Sequence, residues 1–198
     1  MSINKSAAGS ILLVGVGGQG TILASKILSQ GLMDAGFDVK MSEIHGMSQR
    51  GGSVSTQIRF ADDVASPIIG LGEADLIIAF EKMEALRWLD HLKPSGTMII
   101  NNFEIPSVPI LLGEAKYPEG IIADLKEKVD AKVVDAATIA DNLGNAKAMN
   151  IVLLGAAVRA ISKSERLQVL NDIDWDHIIQ EIVKPQFVEL NIKAFHAA

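Results

Sequence analysis

Short apolar runs alternate with stretches of helical periodicity along most of the chain. Residues 11–14 and 76–79 are continuous apolar runs, which are typical of strands buried on both faces of a parallel sheet. Residues 54–60 alternate between apolar and polar side chains, which predicts a strand with one solvent-exposed face. Further extended segments are predicted over residues 37–42, 97–100 and 132–134.

Helical spacing of apolar residues fills much of the chain between these strands. From Ile22 to Met33 the apolar residues recur every three or four positions, and Gly36 stands where a left-handed residue ends a helix. This alternation of strands and helices predicts an α/β fold, a three-layer Rossmann-like sandwich on a mostly parallel sheet. With 198 residues and no linker or repeat, we expect a single domain over residues 1–198. Further helices are predicted over residues 83–92, 146–161 and 173–184.

Composition narrows the possible chemistry. The chain contains no cysteine, which excludes disulfides, cysteine-bound iron–sulfur clusters and thiol nucleophiles. The formal net charge is −6 and dense basic runs are absent, so we expect no nucleic-acid partner. The apolar runs are much shorter than the roughly 20 residues that a membrane-spanning helix needs. We therefore expect a soluble protein without a membrane partner, and the lack of cysteine suits a cytoplasmic location.

A glycine-rich turn follows the first strand. Residues 15–20 read GVGGQG, the G-x-G-x-x-G spacing that places a helix N-terminus beside an anion. Thr21 stands where a phosphate-binding loop of the Walker type would need lysine. A dinucleotide site would need an acidic residue about 20 residues further on, and Glu43 is the candidate at that distance. The turn therefore predicts either a site for an anion other than a dinucleotide, or a tight turn that only packs the helix on the sheet.

The most distinctive segment is residues 43–52, EIHGMSQRGG. It follows the second predicted strand, at the edge of the sheet where open α/β folds place their sites. It combines a carboxylate, an imidazole, an amide and a guanidinium with glycines that permit unusual backbone angles. From composition alone, a site and a polar surface loop remain open interpretations.

Three segments together resemble a known family. Residues 15–20 (GVGGQG), 42–52 (SEIHGMSQRGG) and 72–75 (GEAD) are similar to the gamma domain of 2-oxoacid:ferredoxin oxidoreductases. The long middle motif is most similar to the small subunit of the indolepyruvate-type enzymes. The similarity covers about residues 11–190. The eleven-residue motif is specific, whereas the glycine pattern alone is common to many folds.

The resemblance implies a subunit that works only in a complex. The large subunit would carry thiamine diphosphate and iron–sulfur clusters, and the complex would convert aryl pyruvates to acyl-coenzyme A while reducing ferredoxin. This chain would bind no cofactor or metal by itself, would contact the large subunit and coenzyme A, and has no assignable catalytic residue. The contact candidates are Gly15, Gly17, Gly18, Gln19, Gly20, Glu43, His45, Gln49, Arg50, Gly51 and Gly52.

Two alternatives remain at this level. The glycine turn would also suit a free-standing NAD(P)-binding oxidoreductase, although a convincing ribose-binding acid is missing. The turn and Arg50 together would suit a regulatory module for a phosphate-bearing ligand. Two further acidic residues, Glu81 and Glu84, are expected only to stabilise the start of a helix.

Overall fold

The computed structural model describes residues 8–45, 51–161 and 166–198. Within these residues one six-stranded sheet has the strand order β2-β3-β1-β4-β5-β6. The strands are β1 (Gly9–Val16), β2 (Asp38–His45), β3 (Ser53–Ala61), β4 (Ala74–Ala79), β5 (Leu92–Asn101) and β6 (Asp130–Val134).

The sheet is mostly parallel, as predicted, with one antiparallel strand. β1, β4, β5 and β6 pair in parallel, whereas β3 runs antiparallel to both of its neighbours, β1 and β2. Val16 of β1 lies opposite Ser53, and His45 of β2 lies opposite Val54. The last residues of β1 and β2 therefore lie at the same edge of the sheet, which we call the carboxyl edge; the opposite edge is the amino edge.

Helices cover both faces of the sheet and complete the predicted three layers. Ile11 and Leu13 of β1 face a core formed with α1 and α5–α8, while Leu12 and Val14 face a second core formed with α2 and α4. This split follows from the two-residue period of a strand, which sends alternate side chains to opposite faces. The helices are α1 (Thr21–Asp34), α2 (Lys82–Arg87), α3 (Val108–Leu111), α4 (Ile121–Lys128), α5 (Ala136–Asn142), α6 (Met149–Ala160), α7 (Trp175–Ile182) and α8 (Val188–His196).

The prediction that β3 has one solvent-exposed face is wrong. Ser55 and Gln57, on its polar side, are buried. The connection from β3 to β4 lies over this side, because the Gln57 carboxamide oxygen accepts the backbone N–H of Ile69 at 2.6 Å and Ile69 is itself buried. A strand with polar alternation is thus covered by a loop instead of by solvent.

Several element boundaries also differ from the prediction. Glu43 and His45 belong to β2, so the irregular segment begins later than expected. Helix α2 is shorter than predicted, and β5 starts at Leu92, which was predicted to end the helix. Leu92 belongs to the strand because it pairs with Ala74 of β4, before a shift in strand register. Helix α4 was not predicted. The nearly fully buried α6 confirms the prediction of an apolar helix between layers.

In the part of the chain that the structure describes, no helix is long and apolar enough to cross a membrane.

Candidate functional site

The glycine turn (residues 15–20) joins β1 to α1 at the carboxyl edge. Gly18 and Gly20 have φ angles of 104° and 80°, a region that strongly favours glycine. Gly20 also lies against α6: its carbonyl accepts the side-chain amide of Asn150 at 3.0 Å, and a Cβ at Gly20 would stand 2.5 Å from that nitrogen. The third glycine of the pattern therefore permits close packing, here against a helix across the first core.

The Gln19 side chain holds the turn together from inside. Its oxygen accepts the backbone N–H of Val16 at 2.8 Å, and its amide donates to the carbonyl of Phe80 at 2.8 Å. Phe80 directly follows β4, so this bond crosses from β1 to β4. The Gln19 amide, a predicted contact residue, is thus engaged within the chain in this structure.

The 43–52 motif contacts the glycine turn through the backbone. The N–H of Gly17 donates to the carbonyl of Gly52 at 2.9 Å, and the N–H of Gly51 donates to the carbonyl of Gly17 at 3.4 Å. Gly51 is exposed, with φ of 80°. Two of the three segments that carry the family resemblance, separate in sequence, therefore meet at Gly17, Gly51 and Gly52. Gln49 and Arg50 lie outside the described residues.

Glu43 and His45 lie near the end of β2. The Glu43 carboxylate is 3.5 Å from His45 Nε2 and accepts the Ser25 hydroxyl of α1 at 3.4 Å. His45 is exposed, and Glu43 is half-buried.

The position of Glu43 does not suit a dinucleotide site. In dinucleotide-binding folds the ribose-binding acid ends the strand next to β1. Here β3 occupies that place, which puts β2 two strands away, about 10 Å from β1. Gln19 also bridges β1 and β4, the strands between which the crevice for such a ligand opens. This geometry disfavours a free-standing NAD(P)-binding enzyme.

Two buried carboxylates follow β4, and sequence reasoning gave them only a helix-end role. Glu81 does cap α2, because it accepts the backbone N–H of Glu84 at 2.9 Å. However, Glu81 and Glu84 are only 1% and 3% exposed. Glu81 also accepts the Tyr117 hydroxyl, and Glu84 accepts the Ser53 hydroxyl at 2.5 Å. Their position after a buried strand at the carboxyl edge was the available signal; their distant partners could not be read from the sequence.

Burial raises the pKa values of Glu84 and Tyr117. Desolvation raises the pKa of Glu84, and the Ser53 hydroxyl and the Arg87 guanidinium only partly offset it. Desolvation, with the neighbouring Glu81 carboxylate, also raises the pKa of Tyr117, so its hydroxyl stays protonated and donates to Glu81. Both effects mark a partly dehydrated region beside the glycine turn.

Asn101, at the end of β5, completes the carboxyl edge. It is fully buried; its amide donates to the Phe80 carbonyl at 3.2 Å, and its oxygen accepts the N–H of Ala136 at 3.2 Å. Asn101 thus joins β5, the end of β4 and the start of α5. Its side chain is engaged within the chain, which does not suit a cofactor-binding role.

The arrangement of possible metal ligands among the described residues does not support a metal site. Within residues 8–45, 51–161 and 166–198, no three histidine, aspartate or glutamate side chains converge as a metal site would require.

These features define a doubly wound α/β domain whose two motifs meet at the carboxyl edge, beside the point where the winding of the chain reverses between β1 and β4. The chain belongs to the family described as pyruvate ferredoxin/flavodoxin oxidoreductase, whose sequence pattern matches residues 10–198. It is a subunit of an oxidoreductase of this family, as the resemblance predicted.

Similar proteins from several archaea carry one description, indolepyruvate oxidoreductase subunit IorB. The Pyrococcus horikoshii protein is 37% identical over 190 residues, which cover 94% of this chain and 92% of the relative. The Archaeoglobus fulgidus protein is 39% identical over 189 residues, which cover 93% and 90% of the two chains. More distant is the Methanothermobacter marburgensis 2-oxoglutarate synthase subunit KorC, at 27% identity, with 94% of this chain and 92% of the relative covered.

Solved structures share the fold. The gamma subunit of a keto/oxoacid ferredoxin oxidoreductase from Geobacter sulfurreducens superposes with a TM-score of 0.66 at 22% identity, with 96% of this chain and 95% of that chain covered. A 2-oxoglutarate:ferredoxin oxidoreductase chain from Magnetococcus marinus gives a TM-score of 0.65 at 18% identity. This match covers 96% of this chain but 30% of that longer chain, so the same fold also occurs as part of a longer polypeptide.

Proposed function

We propose that the chain is the small subunit of an indolepyruvate-type 2-oxoacid:ferredoxin oxidoreductase, and that its carboxyl edge meets the large subunit and coenzyme A. The observation that carries the proposal is the backbone contact of Gly17 with Gly51 and Gly52. It joins the glycine turn to the motif with the most specific family resemblance. The shared description of relatives 35–42% identical to this chain supports the substrate class.

The overall reaction converts an aryl pyruvate and coenzyme A to an acyl-coenzyme A and carbon dioxide, and passes two electrons to ferredoxin. Thiamine diphosphate and iron–sulfur clusters supply that chemistry, and we assign both to the large subunit. This chain has no cysteine to bind a cluster. Asn101 and Asn102 follow no Gly-Asp-Gly sequence of the kind that a thiamine diphosphate motif would supply. The same assignment makes ferredoxin a partner of the assembled enzyme.

The role of this chain is to present a surface. Gly18 and Gly51 are exposed at the carboxyl edge in left-handed conformations, so their backbones can approach a partner closely. Helix α3, which follows β5 at the same edge, and the residue after it expose Val108, Leu111 and Leu112 by 67%, 70% and 67%. Exposed apolar side chains of this size are typical of surfaces that become buried on assembly.

Reconstitution tests the proposal. The isolated chain is expected to be colourless and to reduce no electron acceptor with any 2-oxoacid. Mixed with the large subunit, it should support reduction of ferredoxin with indolepyruvate and coenzyme A. Stoichiometric iron in the isolated chain, turnover by this chain alone, or an inactive mixture would each overturn the proposal.

Arg50 provides a residue-level test. If its guanidinium binds a coenzyme A phosphate or a large-subunit carboxylate, Arg50→Ala removes charge-assisted bonds worth roughly 1.5–3 kcal/mol. The dissociation constant for that group should then rise about ten- to a hundredfold, while the isolated chain melts as wild type does. Arg166→Ala is the control, because Arg166 is an exposed arginine at the amino edge, 3.5 Å from Asp75. Equal effects of the two variants on binding would show that Arg50 is an ordinary surface residue.

A further inference from the structure

The turn from β4 into α2, residues 80–84, is fixed to strands on both of its sides. The Phe80 N–H donates to the Val14 carbonyl at 2.8 Å, and the Phe80 carbonyl accepts the side-chain amides of Gln19 and Asn101. The 80–84 turn therefore has a fixed position beside the glycine turn. Its two carboxylates, Glu81 and Glu84, extend from this fixed point in different directions.

Glu81 holds the segment that connects β5 to α4 (residues 103–119) near both of its ends. One carboxylate oxygen accepts the N–H of Ile105 at 3.2 Å and also the Tyr117 hydroxyl. The Tyr117 hydroxyl in turn accepts the N–H of Met83 at 3.1 Å. Helix α3, with its exposed apolar side chains, lies between these two attachment points.

Glu84 holds the start of β3, the strand that pairs with β1 next to the glycine turn. Its carboxylate accepts the hydroxyl of Ser53, the first residue of β3. Ser53 directly follows Gly52, whose carbonyl accepts the N–H of Gly17. Glu84 thus attaches the end of the 43–52 motif to α2, while Arg87 lies 3.2 Å from its second oxygen.

Capping a short helix does not explain why both carboxylates are buried. One exposed carboxylate satisfies the N–H groups at a helix start, and burial of a second acidic group carries a desolvation cost. The free energy lost in burying Glu84 must be offset by something other than the cap. The bonds that both residues make lead to Ser53, which follows the residues that contact the glycine turn, and to the 103–119 segment, which lies beside the end of β4.

We propose that Glu81 and Glu84 are positioning residues: they hold Gly51 and Gly52 beside the glycine turn, and the 103–119 segment beside the end of β4, so that the large subunit meets a preformed surface. This inference rests on the proposed function. Both carboxylates are buried within this chain and act through the segments that they hold. Their effect is to reduce the entropic cost of ordering Gly51, Gly52 and the 103–119 segment when the enzyme assembles.

The first test uses Ser53, which leaves both carboxylates in place. Ser53→Ala should raise the dissociation constant for the large subunit about three- to thirtyfold, while kcat at saturating subunit and coenzyme A stays within about twofold of wild type. Ser53→Thr keeps the hydroxyl and should restore tight binding. Ser29→Ala is the matched control: the hydroxyl of this buried serine of α1 makes a long contact, 3.7 Å, to the Met41 sulfur, and no other hydrogen bond within residues 8–45, 51–161 and 166–198.

A double-mutant cycle separates positioning from general packing. Ser53→Ala combined with Glu84→Ala should weaken assembly by less than the sum of the two single effects, because both changes remove one bond. Tyr117→Phe should increase hydrogen exchange of backbone amides in residues 103–117 of the isolated chain, because one of the two attachments is lost. Hydrogen exchange in β1 and β4 should stay unchanged.

Three outcomes would overturn the inference: equal binding by the Ser53→Ala and Ser29→Ala variants, additive effects in the cycle, or unchanged exchange in Tyr117→Phe. The wild-type reconstitution separates this result from a failure of the proposed function. An inactive wild-type mixture contradicts the proposed function, whereas an active wild-type enzyme with unaffected variants contradicts only the positioning role.

Discussion

Backbone conformation, more than side-chain chemistry, distinguishes individual residues of the glycine turn. Gly18 has φ of 104°, and among the described residues no heavy atom lies within 4 Å of the place where its Cβ would stand. Space is therefore available for a side chain, and only backbone strain opposes one. Gly36, at the end of α1 near the amino edge, has φ of 90° and equally open surroundings.

This pair of glycines gives a matched experiment. Gly18→Ala and Gly36→Ala should each lower the free energy of unfolding by about 1–2 kcal/mol, because both place an L-residue in the left-handed region. Only Gly18→Ala should also weaken binding of the large subunit, since only Gly18 lies at the carboxyl edge. Chemical denaturation and a binding titration measure the two effects. If both variants bind the large subunit as wild type does, the Gly18 backbone is not a contact.

At the scale of elements, α2 is stabilised at its start but carries a buried acid. The pKa of Glu84 is raised chiefly by burial, with a contribution from Glu81, while Ser53 and Arg87 act in the opposite direction. A carboxyl group with a raised pKa in the folded state binds its proton more tightly there than in the unfolded chain. Its contribution to stability is therefore greatest at low pH and is lost as the pH rises through the raised pKa.

Glu84→Gln should remove this pH dependence. The difference in melting temperature between the variant and wild type should move in favour of the variant as the pH rises from about 4.5 to 8, because glutamine stays neutral. Glu189→Gln is the control with the opposite sign: Lys193 lowers the pKa of the exposed Glu189. The melting temperature of Glu189→Gln should not rise relative to that of wild type as the pH rises. If the melting temperatures of Glu84→Gln and wild type differ by the same amount at every pH in this range, the pKa of Glu84 is not raised.

Local pattern explains which elements could be predicted from the sequence. The apolar run of β1 and the helical period of α1 depend on residues close together in the chain, so both were predicted near their true bounds. The insertion of β3 between β1 and β2 depends on pairing between distant segments, which periodicity does not record. Helix α4 was missed because acidic and basic residues interrupt its apolar pattern.

The candidate site residues also divide into those with a local sequence signal and those whose role depends on distant partners. The glycine turn and the 43–52 motif were found because each is a contiguous signal with a recognisable spacing. The burial of Glu81 and Glu84 depends on Tyr117 and Ser53, which lie 36 and 31 positions away in sequence. Acidic residues at a helix start already have a sufficient local explanation, so the sequence offered no reason to seek distant partners for them.

At the scale of the whole molecule, exposed apolar side chains occur at both edges of the sheet. Leu111 of α3, in the segment held at the carboxyl edge, is 70% exposed, and Leu71, in the connection that enters β4 at the amino edge, is 72% exposed. The same residue type with nearly equal exposure therefore occupies two opposite positions. If the carboxyl edge contacts the large subunit, as proposed, Leu111 should become buried on assembly and Leu71 should stay exposed.

Leu111→Ser and Leu71→Ser test this asymmetry. Neither should change the melting temperature of the isolated chain by more than a few degrees, because both side chains are already in water. Leu111→Ser should weaken binding of the large subunit by about tenfold, roughly the 1.4 kcal/mol expected for one lost apolar contact in an interface. Leu71→Ser should bind normally. A reversed pattern would place the interface at the amino edge, and a change in the oligomeric state of the isolated Leu111→Ser chain would assign α3 to self-association.

The strand order also affects how the chain folds while it is being synthesised. β1 lies in the middle of the sheet, but both of its neighbours, β3 and β4, are synthesised after it. At elongation rates of about 5–20 residues per second, the strand ending at Val16 waits several seconds for β4 to end at Ala79. Until β3 is complete at Ala61 this almost entirely apolar strand has neither of its neighbours, and one side stays unpaired until Ala79; such strands are prone to aggregate. Nascent chains that stall before Ala79 should therefore depend on chaperones to remain in solution.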